Sequence, residues 1–125
     1  MNKLKTTLYE NNLLQLIRHS NRSGSHKNCI RVFKNNSYIH ERIKFDICWK
    51  LMKDDYSIWT EAIFVNGQRA DILAIKGKEA YVIEVETNKS KKLMQKKIDS
   101  KQSYPDEFQL VLINSKDFNI DTWEL

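Results

Sequence analysis

The chain has 125 residues, of which 41% are apolar and 10% aromatic, and it carries a formal net charge of +5 with a pI near 9.2. The apolar and aromatic content excludes a disordered chain. The length allows a single domain with one core, residues 1–125. No run approaches the roughly 20 apolar residues of a membrane span, and residues 1–6 lack the apolar segment of a signal peptide, so we expect a cytoplasmic protein.

Residues 1–37 form an N-terminal extension for which the sequence indicates no specific function. Apolar residues recur at roughly helical spacing over residues 1–19, which predicts a helix. Residues 20–27 are small, polar and partly basic, as is typical of an exposed loop, and residues 29–33 are compatible with a short strand. Cys29 and Cys48 lack the spacing of a zinc site or a redox pair, so both are expected to be free thiols.

A second helix is predicted to begin after Ser37, a favourable N-cap residue, and to run to about Lys53. It has two apolar sides, the first formed by Ile39, Ile43, Ile47 and Leu51, and the second by Phe45, Cys48, Trp49 and Met52. Both apolar sides of such a helix are usually buried against other parts of the protein. One side should lie on the sheet, and the other should meet the N-terminal segment or a second subunit.

Three polar residues of this helix, His40, Glu41 and Lys44, form a strip between the apolar sides. From the residues alone, Glu41 is expected to be a surface residue paired with Lys44 or Arg42. His40 is expected to be an exposed histidine without a role, although assistance in a proton transfer is the alternative.

Three strands are predicted next, over residues 58–65, 69–75 and 80–87, and they form an antiparallel meander. Asn66 and Gly67 are a strong hairpin signal, and residues 76–79 form the second turn. Glu61 interrupts the first strand and points either outward or toward the same site as Asp71. Arg69 either contacts a phosphate or pairs with a carboxylate.

The meander brings three carboxylates together. Asp71 opens the second strand, while Glu84 and Glu86 lie two residues apart at the end of the third and so share a face. Crowded carboxylates repel one another, and their hard oxygen atoms suit Mg²⁺ or Mn²⁺. The alternative is that the two glutamates merely form the polar face of an edge strand.

A lysine-rich helix over residues 91–104 and a buried strand over residues 108–114 complete the predicted core. A strand reached through a helix should lie parallel to the third strand. Lys92, Lys96 and Lys97 would place positive charge along a bound phosphate backbone, or else form only a solvated face.

An Asp, a hairpin and then Glu-x-Glu at the end of an apolar strand resemble the PD-(D/E)xK nuclease superfamily, particularly its small archaeal, viral and plasmid members. The resemblance covers residues 38–114 and implies an α/β fold, the restriction-endonuclease-like αβββαβ core with a mixed central sheet. It implies that Asp71 and Glu84 are catalytic metal ligands and that Glu86 stands where the family usually has lysine. Lys89 and Lys91 are candidates to replace that lysine in space.

The resemblance also implies that Glu41 holds the metal through water and that Gln102 occupies a polar position of the second core helix. The expected function is a Mg²⁺- or Mn²⁺-dependent DNA endonuclease that leaves a 5′-phosphate. A Holliday-junction resolvase and a viral or mobile-element nuclease are the favoured subtypes, and both imply a homodimer. The alternative is a nuclease fold that has lost its chemistry and binds nucleic acid or a protein partner.

Overall fold

A computed structural model describes residues 3–18, 26–87 and 104–125 of the chain. Its elements are α1 (Lys3–Leu14), α2 (Tyr38–Lys53), β1 (Ser57–Ile63), β2 (Arg69–Lys76), β3 (Glu79–Glu86) and β4 (Gln109–Asn114). The strands form a four-stranded sheet in the order β1-β2-β3-β4. The first three strands are antiparallel neighbours, and β4 runs parallel to β3. The protein therefore has an α/β fold with a mixed sheet, as expected.

The two hairpin turns form where the sequence predicts them. Gly67 adopts a φ of +93°, which glycine reaches without steric cost, and its N–H donates to the carbonyl of Phe64 at 2.9 Å. In the second turn, Gly77 has a φ of +60°, and Lys76 pairs with Glu79. The predicted helix over residues 91–104 lies outside the described residues except for its last residue, Tyr104.

Helix α2 begins at the predicted N-cap, since the Ser37 hydroxyl accepts a hydrogen bond from the His40 backbone N–H at 3.1 Å. Its inner side packs on one face of the sheet in a core that includes Ile43, Ile47, Cys48, Leu51, Ile58, Ile72 and Ile83. Its outward side, with Ile39, Phe45 and Trp49, is exposed. The two predicted sides were therefore divided wrongly at two positions, since Ile39 of the first side faces solvent and Cys48 of the second side is buried. The described residues of the N-terminal segment, 3–18 and 26–37, do not cover this outward side. Its burial by a second subunit remains a prediction.

The N-terminal segment packs on the opposite face of the sheet instead. Leu13, Leu14 and Ile17 are buried in the same core as Phe64 and Phe108. An isolated β-bridge joins Ile17 to Phe64. The N-terminal extension therefore contributes to the core of the domain through residues 13–17.

Residues 29–33 do not form the short strand that the sequence allows. Hydrogen bonds to the Thr60 side chain connect this segment to β1 in place of strand pairing. The Arg31 N–H donates to the Thr60 hydroxyl at 2.8 Å, and that hydroxyl donates to the Cys29 carbonyl at 3.0 Å. Within the described ranges, neither helix has the length and apolar content that crossing a bilayer requires.

Candidate functional site

Strands β2 and β3 separate at Asp71 and Glu84. Their ladder ends where Ile72 pairs with Ile83, and the same register places Asp71 opposite Glu84. Beyond this point, a carboxylate side chain of each strand accepts a hydrogen bond from the backbone of the other strand. Asp71 Oδ2 accepts the Val85 N–H at 2.8 Å, and the Asp71 N–H donates to Glu84 Oε2 at 3.4 Å. The fold therefore brings these two carboxylates side by side, and both Glu84 and Glu86 are buried.

His40 links α2 to this pair of carboxylates. Its Nε2 lies 3.2 Å from Asp71 Oδ2, and its Nδ1 lies 3.1 Å from Glu41 Oε1. The expectation of an exposed histidine was wrong, because His40 is buried between two acids. A part in proton transfer stays a prediction. His40 precedes the core residues Ile43 and Ile47 by three and seven positions, so all three share the inner face of α2. That spacing is the signal that sequence reasoning missed.

The protonation of the His40–Asp71 pair depends on opposing effects. Burial lowers the pKa of His40, but hydrogen bonds and charges from Asp71 and Glu41 outweigh it and raise that pKa above its ordinary value of 6.5. Burial raises the pKa of Asp71, but hydrogen bonds with His40, Glu84 and Val85 and the His40 charge lower it below its ordinary value of 3.8. The folded protein therefore favours an imidazolium beside an Asp71 carboxylate.

A pH-dependent stability follows from this pair. Because folding raises the pKa of His40, the stabilisation is fully present below the unfolded value of 6.5 and is lost as the pH rises through the folded pKa. The Asp71 contribution is present above 3.8 and is lost as the pH falls through its lowered pKa. We expect His40→Gln to lower the free energy of unfolding by about 2 kcal/mol at mildly acid pH and by less at alkaline pH.

Urea-induced unfolding across this pH range measures the effect. In an Asp71→Asn background the pH dependence of the His40→Gln difference should shrink sharply. If it were unchanged there, Asp71 would not be the partner that raises the pKa of His40.

Lys44 is a buried cation at the centre of a second group of acids. Its side chain is 0% exposed. Its Nζ lies 2.6 Å from Glu41 Oε2, and it donates to Glu61 Oε1 at 3.0 Å and to the Arg31 carbonyl at 2.7 Å. The predicted ion pair between Glu41 and Lys44 is present, but the prediction that Glu41 is a surface residue was wrong, since both residues of the pair are largely buried.

Two further contacts hold Glu41. The Asn36 amide donates to Oε1 at 2.8 Å, and the Phe33 N–H donates to Oε2 at 3.3 Å. Burial raises the pKa of Glu41, but Lys44 and these two donors outweigh it and lower that pKa. Glu41 is therefore an ionised carboxylate with fixed partners.

Glu61 reaches Lys44 through an unusual backbone conformation. Its φ is +52°, in the left-handed region, and it interrupts the β1–β2 register between the pairs Thr60–Ile72 and Ala62–Ala70. The side chain thereby meets α2 and does not point outward to solvent. Such a conformation in a residue other than glycine persists only where the surroundings hold it.

Arg69 occupies the exposed edge of this group. Its Nε lies 3.3 Å from Glu61 Oε2, and its guanidinium lies 4.2 Å from the centroid of the Phe33 ring. The Arg69 side chain is 45% exposed, so it pairs with a carboxylate and is still accessible from solvent. A contact with phosphate remains a prediction.

Tyr104 is a functional candidate that sequence reasoning did not single out. Its buried hydroxyl donates to Glu84 Oε1 and accepts a hydrogen bond from the Gln68 side chain at 3.2 Å. Burial and the Glu84 charge raise the pKa of Tyr104, so the phenol keeps its proton. Its position before Pro105 indicated only the end of a helix.

A metal ion at this site would depend on two protein carboxylates. Within residues 3–18, 26–87 and 104–125, no group of three or more His, Cys, Asp or Glu side chains could hold a metal ion. Mg²⁺ in nucleotide and phosphate sites is commonly held by one or two carboxylates together with waters and substrate phosphate. Asp71 and Glu84 offer such a pair of oxygen donors.

Several predicted site residues lie outside the described residues, namely Lys89, Lys91, Lys92, Lys96, Lys97 and Gln102. Their catalytic and DNA-binding roles remain predictions.

Comparison with known proteins finds no match to a family profile, to a curated protein or to a solved structure.

Proposed function

We propose that this chain is a metal-dependent DNA endonuclease with the restriction-endonuclease-like core of the PD-(D/E)xK superfamily. The observation that carries the proposal is the pairing of Asp71 with Glu84 where β2 and β3 separate. The order of elements supports it, since one helix, three antiparallel strands and a fourth strand parallel to the third follow one another along the chain.

Asp71 and Glu84 are the residues that would hold Mg²⁺ or Mn²⁺, with Glu86 beside them on β3. Such an ion activates water and neutralises charge that develops on a phosphate. His40 and the Val85 N–H hold the Asp71 carboxylate, and Tyr104 holds that of Glu84. These contacts fix both acids before substrate arrives.

The remaining polar residues have supporting roles. Arg69 is accessible and would bind a substrate phosphate beside the acids. Glu86, or Lys89 in place of the usual motif lysine, would orient the attacking water or take its proton. Glu41 and Glu61 are neutralised by Lys44, which favours a role in shaping the site over direct contact with the ion.

The partner is DNA, and the cut leaves a 5′-phosphate. A homodimer would place two such sites on the two strands of a junction or duplex. A Holliday-junction resolvase and a nuclease of a virus or mobile element are the subtypes proposed.

A second candidate is a DNA-binding protein that retains the fold without cleavage. Two observations favour it. Glu86 replaces the motif lysine, and Asp71 and Glu84 already accept hydrogen bonds from protein donors. This candidate predicts salt-sensitive DNA binding that does not need a divalent ion.

The purified chain should be incubated with duplex, single-stranded and four-way-junction DNA in Mg²⁺, in Mn²⁺ and in EDTA. We expect 5′-phosphorylated products with either ion and none in EDTA. DNA binding without cleavage in all conditions would favour the second candidate, and the absence of both would contradict the two proposals.

A further inference from the structure

The outward side of α2 carries a row of exposed aromatic and cationic side chains. Tyr38, Phe45 and Trp49 are 78%, 48% and 52% exposed, and Arg42 and Lys53 are exposed as well. Successive members are three or four residues apart, so they lie on one side of the helix. We refer to these five residues as the aromatic row.

Two rings of the row are nearly parallel. Phe45 and Trp49 are stacked with centroids 6.2 Å apart and an interplanar angle of 15°. The Lys53 ammonium lies 4.6 Å from the Trp49 centroid. Because Lys53 is long and exposed, it can leave the ring and still reach a nearby anion. Tyr38 lies about 10 Å further along the helix axis, so the row offers planar surfaces over several nucleotide lengths.

The charge of the aromatic row favours an anionic occupant. The row contains two cations and no acid, and no carboxylate of the described chain forms an ion pair with Arg42 or Lys53. A second copy of the chain would bring two further cations to the row, whereas Asp46, the nearest acid along α2, is partly buried. Five residues also fall well short of the roughly 20–30 residues a side of a stable protein interface.

We propose that the aromatic row binds single-stranded DNA, with unpaired bases stacked on its rings and phosphates on Arg42 and Lys53. Aromatic platforms beside basic residues bind single strands without reading their sequence, because every base has a flat face. The inference rests on the proposed function for the identity of the polymer, and it specifies a substrate with unpaired bases. His40, on the inner side of α2, contacts Asp71, so the row lies on the side of α2 opposite the candidate site.

The test measures fluorescence anisotropy of labelled oligothymidylate in EDTA, with matched variants of Trp49. Trp49→Leu should weaken binding about 10-fold, because it removes one stacking surface. Trp49→Phe retains a ring and should bind within about threefold of the parent. Duplex DNA of the same length should respond little to either change. Unfolding curves of both variants verify that this half-exposed position is not needed for folding.

A second measurement tests the cations. Arg42→Gln and Lys53→Gln should each reduce the slope of log affinity against log salt concentration by about 0.7. Lys78→Gln, in the exposed β2–β3 turn, removes the same charge away from the row and should leave the slope unchanged.

Two results would overturn the inference: equal oligothymidylate affinity in Trp49→Leu and the parent, or equal losses in Trp49→Leu and Trp49→Phe. Sedimentation in which Trp49→Leu dissociates a dimer while DNA binding is unchanged would assign the row to a second copy, and would also overturn it. Trp49-dependent binding without cleavage of any DNA contradicts the proposed function alone. Asp71-dependent cleavage that Trp49→Leu leaves intact, together with unchanged binding, contradicts this inference alone.

Discussion

Asp71→Asn should reduce metal-dependent DNA cleavage by at least about 100-fold, because loss even of a group that only supports a metal ligand commonly costs 10–100-fold. The amide keeps the size of the carboxylate and an oxygen for the Val85 N–H, but it removes the charge that would hold the ion and pair with His40. The measurement is the initial rate of product formation on the DNA that the parent cleaves fastest, at saturating Mg²⁺.

Two comparisons separate this loss from unfolding or from weaker DNA binding. Asp106→Asn removes the same charge at an exposed position and should cleave like the parent. DNA binding by Asp71→Asn in EDTA should persist, because phosphate contacts come from cations. Cleavage that survived in Asp71→Asn would place the reactive site elsewhere on the protein.

Lys44→Met should lower the free energy of unfolding by about 3–5 kcal/mol, because it leaves two buried carboxylates without their shared cation. The Lys44 side chain is fully buried, and Glu41 and Glu61 are each at most 12% exposed. The substitution also deprives the Arg31 carbonyl of its donor. Urea-induced unfolding at neutral pH measures the difference.

The control variants test whether charge is the cause. Lys78→Met at an exposed turn should change the free energy of unfolding by less than about 0.5 kcal/mol. Adding Glu41→Gln and Glu61→Gln to Lys44→Met should restore part of the stability, since the repelling charges are then absent. If the triple variant were no more stable than Lys44→Met alone, lost packing would account for the effect.

The order and kind of the described elements could be predicted from the sequence because their signals are local. Ser37 caps the helix that follows it through a bond spanning three residues. Gly67 adopts a positive φ that few other residues tolerate, so the first hairpin turn falls at Asn66–Gly67. Alternating and continuous apolar runs likewise predicted the four strands within one or two residues of their observed ends.

The positions of the candidate acids along the chain were also predictable, but their partners were not. The sequence placed Asp71 and Glu84 at strand ends on adjacent strands, and the structure brings them together there. The sequence did not indicate that His40 would be buried beside Asp71, 31 residues away, or that Lys44 would meet Glu61, 17 residues away. Such contacts depend on how α2 is oriented on the sheet, which no local pattern records.

By itself, then, the sequence determined which segments become helices and strands, where the turns fall and which acids lie at strand ends, because capping, turn geometry and apolar periodicity act over a few residues. Only the tertiary structure decided that β2 and β3 separate at Asp71, that Glu61 turns toward α2 through a left-handed backbone, and that Lys44 is buried between two acids. The physical reason is that burial and ion pairing depend on distances between elements, and those distances are set by the packing of the whole domain.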